Sequence, residues 1–219
     1  ALSYTINGVG NTGIGVSALS NNNAGTANTS VGAVSLFNNS TGTHNTAIGY
    51  CAMLTNTTGS FNTILGDSAD VNSLSLNNAT AIGYKAKATA SNQVRIGNSG
   101  VTSIGGYANW SNISDGRYKK NIKENVPGLV FINALKPVTY NLDIKGLNAH
   151  LSNGLIGAED KSATAKELET ETGFIAQDVE KAAKKLGYQL SGVDAPKGEN
   201  DLYGLRYAEF VVPLVKAVQ

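Results

Sequence analysis

Small, polar and apolar positions recur in strict phase over the first hundred residues. Gly15, Gly32, Gly49, Gly66 and Gly83 each follow the last by 17 residues, and each closes a related pentad: NTGIG, NTSVG, NTAIG, NTILG, ATAIG. A second glycine series, Gly8, Gly25, Gly42 and Gly59, runs in step with the first, and apolar Leu19, Leu36 and Met53 hold a third register. After Gly83 the period shortens to 14 and reaches Gly97 in QVRIG. Repetition at a short fixed period predicts a stacked array rather than a low-complexity linker. Each unit reads as two short strands and two turns: Thr-x-Ile-Gly alternates in the β sense, and the NNSTG-like pieces carry residues that tolerate positive φ. A single coil cannot bury its apolar face alone, so neighbouring coils or neighbouring chains must cover it. Asn28, Asn45 and Asn62, at equivalent positions, are expected to form a ladder of amide hydrogen bonds.

The pattern ends abruptly. Residues 101–113 read as a neck whose Trp110 suits an aromatic plug between chains. From Ser114 onward the chain is aperiodic and helix-capable. Leu129–Leu135 suits a helix with Leu129, Val130, Ile132 and Leu135 on one side, ended by Pro137. Val138–Leu142 alternates as a strand, Gly157–Thr172 reads as a mobile surface insertion, and Gly173 opens a helix running to about Leu186. A hairpin through Leu190 and Val193 follows. In the last helix, Tyr207, Val211, Leu214 and Val218 recur at 4-3-4 spacing, a heptad seam that predicts association of helices between chains and continuation past Gln219, so that the domain is truncated at this helix. The predicted organisation is a mainly β repeat array over residues 1–100, a neck over 101–113, and an α+β domain over 114–219 ending in a coiled-coil-type helix.

Charge sharpens this division. Of 17 Lys and Arg and 16 Asp and Glu, only Asp67, Asp70, Lys85, Lys87 and Arg95 precede Ser114, and all 4 prolines follow it. A net charge of +1 without a basic run gives no footprint for nucleic acid. The single Cys51 excludes an intrachain disulfide and reads as a packed thiol. No apolar run approaches a membrane span, no cofactor or metal pattern stands out, and His44 reads as an exposed turn residue. Asp67 and Asp70 are the only acids before the junction, so the repeats lack the facing carboxylate pair on which glycosidases depend.

Ser114-Asp115 therefore sits on a compositional boundary, with Lys119 and Lys120 just downstream. A serine hydroxyl becomes a nucleophile when a base takes its proton, and a lysine serves when burial weakens its hold on its own proton. In an extended segment Lys119 and Lys120 face opposite ways, so at most one reaches Ser114. The plainer alternative makes Asp115 a turn or cap residue and Arg117, Lys119 and Lys120 a solvated edge.

The repeats resemble the head repeats of trimeric autotransporter adhesins and the shafts of bacterial and phage fibres, which implies a β-roll or β-prism built as a parallel homotrimer. SDGRYKKNI, LKPVTYNLD, GFIAQDVE and LRYAEFVVPLVKAVQ, in that order, resemble the intramolecular chaperone domain of phage endosialidases and tail spikes, peptidase family S74, which also occurs in myelin regulatory factor. This resemblance covers residues 114–219 except the insertion at 143–172. It implies a domain that trimerises, guides assembly of the fibre before it and then cuts itself free, with Ser114 and Lys119 as a Ser/Lys pair, Asp115 and Lys120 as secondary candidates, and the cut at Ser114–Asp115. Such a protein is a single-turnover serine endopeptidase on a virion tail or bacterial surface, with a host glycan or protein as receptor and no cofactor. Attack by Ser114 on the Ile113 carbonyl would instead cut before Ser114, since attack on its own carbonyl closes a four-membered ring. A permanent stalk with an uncut cap is the competing reading.

Overall fold

A computed structural model describes residues 7–151 and 165–219. They form two compact units. One holds the repeats together with residues 143–168 and 197–201; the other holds residues 103–142, 169–196 and 202–219.

The repeats build a β-solenoid. Strands β1 (Thr12–Ile14), β2 (Thr29–Val31), β3 (Thr46–Ile48), β4 (Thr63–Leu65), β6 (Thr80–Ile82) and β8 (Val94–Ile96) stack as one parallel six-stranded sheet. The register follows the period, with Thr12 opposite Thr29, Thr29 opposite Thr46 and Thr46 opposite Thr63. A second strand forms only where β5 (Asp70–Val71) pairs with β7 (Lys87–Ala88). The expectation of two strands in every coil is thus corrected to one strand and a chain of corners. The corners are left-handed: Val34 has φ +60°, Leu36 +50° and His44 +56°, and equivalent residues in other coils match them. Each such residue costs an L-amino acid about 1–2 kcal/mol, and the hydrogen bonds each corner makes to the next coil offset that cost. Gly49, at φ +135°, is required on a second count: a Cβ there would overlap the carbonyl of Gly66 in the next coil.

The interior is narrow. Leu19, Leu36, Met53 and Ile64 are fully buried, and alanines such as Ala47, Ala52 and Ala81 fill the rest. Asparagines hold the corners. Asn45 donates Nδ2 to Gly59 O at 2.8 Å, and its Oδ1 accepts from Asn62 N at 3.0 Å and Asn62 Nδ2 at 3.1 Å. Asn28 and Asn62 repeat the pattern toward Gly42 and Ala79. A second ladder, which the sequence reading overlooked, joins Asn22, Asn39 and Asn56 by amide bonds of 2.7 and 2.9 Å. It ends at Asn56, whose Oδ1 has no partner; Ser73 occupies the next position in phase.

Strands β2, β3, β4 and β6 bury their middle residue. Ala47 and Ile64 point inward, whereas Ile14, Ile48, Ile82 and Ile96 lie on the outside, between 38 and 59% exposed. The solenoid therefore displays a ladder of aliphatic side chains on one face of its sheet. Cys51 is half-buried at a left-handed corner rather than packed in the core, and exposed His44 stacks on Phe61 at 5.1 Å. Tyr107, Trp110 and Ile113 are fully or almost fully exposed within this chain.

The second unit is small. Helix α1 (Leu129–Ile132) is shorter than expected, and Phe131, not Leu129 or Val130, is its buried residue. Strand β9 (Val138–Tyr140) pairs antiparallel with β10 (Glu171–Gly173), so the C-terminal end of the expected surface insertion is a strand. Residues 157–164 of that insertion lie outside the described residues. Helix α2 (Ile144–Leu151), which the sequence reading did not foresee, belongs to the solenoid unit. Helix α3 (Ala176–Lys185) lays Val179 and Ala183 against Phe131 and Phe210, and β11 (Val193–Asp194) pairs with β12 (Gly204–Leu205). Residues Tyr207–Phe210 form a 3-10 turn before α4 (Val211–Val218). Tyr207 therefore leaves the heptad seam: its ring stacks near Phe174 and its hydroxyl accepts from Phe174 N at 3.1 Å. Val211, Leu214 and Val218 remain exposed along α4.

Two stability measurements follow. Asn45→Ala leaves Asn62 N buried without a partner and leaves Gly59 O with only the amide of Asn56, so chemical denaturation is expected to show a loss of roughly 1–3 kcal/mol. Asp70 is the second case. Burial pushes its carboxyl above the ordinary carboxylate range, opposed by hydrogen bonds from Thr55 and the charge of Lys87. Folding thus favours the protonated form, and the associated stability is fully present below the unfolded pKa and lost as pH rises through the folded one. Asp70→Asn is expected to match the parent's melting temperature in mild acid and to exceed it at neutral pH.

Candidate functional site

The junction folds as a tight 3-10 turn, Gly116–Tyr118, capped by Asp115. Asp115 is suited to this place because its short carboxylate accepts from Arg117 N at 2.9 Å. The turn closes through Tyr118 N on Asp115 O at 3.1 Å and Lys119 N on Gly116 O at 3.2 Å. Arg117 then folds back on the capping carboxylate: its Nε lies 3.1 Å from Oδ1 and 3.0 Å from Oδ2, and its Nη2 2.6 Å from Oδ2. The guanidinium, before the backbone bond, holds the Asp115 carboxyl below its ordinary value, and the carboxylate raises Arg117 in return.

This turn reverses the chain between Ser114 and Lys119. Lys119 Nζ stands 2.8 Å from Ser114 Oγ, in hydrogen-bonding contact. Among the described residues no hydrogen bond joins Lys120 to Ser114, and Asp115 has its carboxylate on Arg117 rather than on the serine. Of the four candidate residues, then, the structure brings Ser114 and Lys119 together and assigns Asp115 to the turn. Arg117 is a positioning residue that sequence reasoning grouped with a solvated edge. The Asp-x-Arg spacing across a Gly was the signal for it.

Ser114 and Lys119 are both exposed within this chain. General-base work by a lysine requires an environment that weakens its hold on a proton, and desolvation is the usual means. The geometry supplies contact; cover has to come from elsewhere. Among the described residues no group of three or more His, Cys, Asp or Glu could hold a metal ion, and no helix is long and apolar enough to cross a membrane.

Residues 114–188 match the family model Peptidase S74, described as chaperone of endosialidase, and the match begins on Ser114 itself. No curated protein and no solved structure matches the chain. The segment from Ser114 to Tyr188 is thus similar to the chaperone of endosialidase, and a β-solenoid consistent with fibre head repeats precedes it.

Removing the guanidinium tests the turn. In Arg117→Ala the Asp115 carboxyl is expected to titrate closer to the ordinary carboxylate range, read by its side-chain carbon shift in NMR. Because the paired carboxyl titrates low, its small contribution to the turn is present above the unfolded pKa and lost as pH falls through the folded one. An unchanged titration would mean that Arg117 does not hold Asp115 in solution.

Proposed function

We propose that this chain is part of a trimeric tail or surface fibre whose C-terminal domain assembles it and then severs the connection at Ser114–Asp115. The observation that carries the reading is the 2.8 Å contact between Ser114 Oγ and Lys119 Nζ at the first residue of the chaperone match. Two exposed apolar features support the trimer: the outward ladder Ile14, Ile48, Ile82 and Ile96, and the Val211, Leu214, Val218 row of α4. Both would be covered by neighbouring copies, and contiguous apolar surface of this kind marks an association face. Packing of copies around the neck also supplies the cover that Lys119 lacks, which ties scission to completed assembly.

The chemistry can be written without a strained ring. Lys119, once desolvated, accepts the proton of Ser114 Oγ, and the serine oxygen takes a proton from a water molecule. The water oxygen adds to the Ser114 carbonyl carbon, the C–N bond to Asp115 breaks, and the amine of Asp115 leaves with a proton returned through the same pair. The products are a C-terminal serine carboxylate on the fibre and a free Asp115 amine on the chaperone. The location on a virion tail, and a host-surface glycan or protein as receptor, go with this reading.

Intact-mass analysis after folding tests the scission. The parent chain is expected to yield a fragment beginning at Asp115, while Ser114→Ala and Lys119→Met stay uncut. A fragment beginning at Ser114 would move the cut to the Ile113 carbonyl. An uncut parent in its assembled state would leave the permanent-cap reading in its place.

A further inference from the structure

Residues 197–201 come from the C-terminal part of the sequence, yet they belong to the compact unit built on the solenoid. The pentad holds its own shape: Lys197 N donates to Asp201 Oδ2 at 3.1 Å, and Asp201 N to Gly198 O at 3.1 Å. Its tip meets two consecutive coils. Thr89 donates its hydroxyl to Asp201 Oδ1 at 2.6 Å, and Asn72 donates Nδ2 to Asn200 O at 2.9 Å. Asn72 and Thr89 stand one above the other, since Asn72 N bonds Ala88 O at 3.0 Å directly after the β5–β7 pairing of Val71 with Ala88. Thr89 is also fixed by Gln93, whose Oε1 accepts from Thr89 N at 2.8 Å. All three partners are enclosed, with Asn72 3% exposed, Thr89 6% and Asp201 9%.

A buried carboxylate is tolerated only where its donors are already in place. Thr89 donates to the Asp201 carboxylate and Asn72 to the Asn200 carbonyl, and these two donors come from successive coils, so they converge only after the coils have closed and stacked. Two further bonds tie the same unit together: Ser99 Oγ to Asn148 Oδ1 at 2.6 Å, and Lys166 Nζ to Val101 O at 2.7 Å. All of these partners in the C-terminal part of the sequence lie beyond Ser114, so cutting the backbone there breaks none of these contacts.

We propose that residues 197–201 are a latch that recognises two stacked coils, through Asp201 on Thr89 and the Asn200 carbonyl on Asn72, and keeps the chaperone fragment bound to the solenoid after the backbone has been cut. Scission and departure are then separate steps. The biological meaning of the latch rests on the scission proposed above, but the docking does not.

The test therefore uses Ser114→Ala, so that self-cleavage plays no part, with a site-specific protease sequence inserted between Tyr107 and Trp110. After protease treatment the two pieces are expected to co-migrate in size-exclusion chromatography. In the same background, Asp201→Ala is expected to speed their separation about tenfold or more, the loss of one charge-assisted hydrogen bond. Asp201→Asn, which keeps an acceptor for the Thr89 hydroxyl, is expected to stay closer to the parent. Asp201 lies outside the coils, and the solenoid's own melting transition checks that they remain folded; Thr89→Val provides the same test from the other side. Pieces that separate at once in the parent, or Asp201→Ala and Thr89→Val chains that hold together as long as the parent, would overturn the latch. An uncut Ser114 chain would bear on the scission alone.

Discussion

The structure depends on one constraint: every coil must repeat the one before it closely enough for side chains to bond one coil up. Asn28, Asn45 and Asn62 meet it on one corner and Asn22, Asn39 and Asn56 on another. These amides bond into neighbouring coils, so no coil is complete alone. The interior cannot compensate, because it is a thin column of alanines with one larger side chain at intervals. Left-handed corners at residues such as Val34 and Leu36 make an isolated coil unfavourable as well. Stability in such an array comes from stacking, and the first stacked pair is the costly step. A chain built this way benefits from a partner domain that aligns coils early, which is the role indicated by the chaperone match behind it.

The same constraint explains the outside. With the middle residue of β2, β3, β4 and β6 turned into a narrow core, the residue after it must face away. Six strands in register then line Ile14, Ile48, Ile82 and Ile96 on one face, with Tyr50 and Tyr84 also exposed. The second unit shows the same trait in Val211, Leu214 and Val218. On the trimeric reading, these are the surfaces that other copies cover, and the exposure of the Ser114–Lys119 pair belongs to the separate chain rather than to the assembled one.

Much of the solenoid was legible because phase is a strong signal. Gly49 and its counterparts, the Leu19 register and the Asn28 ladder all follow from counting. The second asparagine ladder was equally countable but lies among other asparagines, which hid it. The corners were not legible, because Val34 and Leu36 are residue types that disfavour positive φ; stacking imposes it. The sense of each strand was hidden for a related reason: a Thr-x-Ile alternation does not say whether isoleucine faces a core or a partner chain. In the second unit, Ile132 and Leu135 pack against the core as expected, but Phe131 rather than Leu129 or Val130 is fully buried, because a four-residue helix has too little periodicity to choose between Phe131 and its neighbours. At the site, the Ser114–Lys119 meeting depends on a 3-10 turn, and that turn depends on the Asp115–Arg117 pair. An extended reading of the segment could rank the lysines only by parity.

The claim on which the account rests is that the exposed aliphatic ladder and the α4 row are faces between copies. Sedimentation equilibrium of the folded chain at micromolar concentration measures this directly. A mass three times that of the chain is the result the account predicts. A monomer under those conditions, with the solenoid intact by circular dichroism, would contradict it.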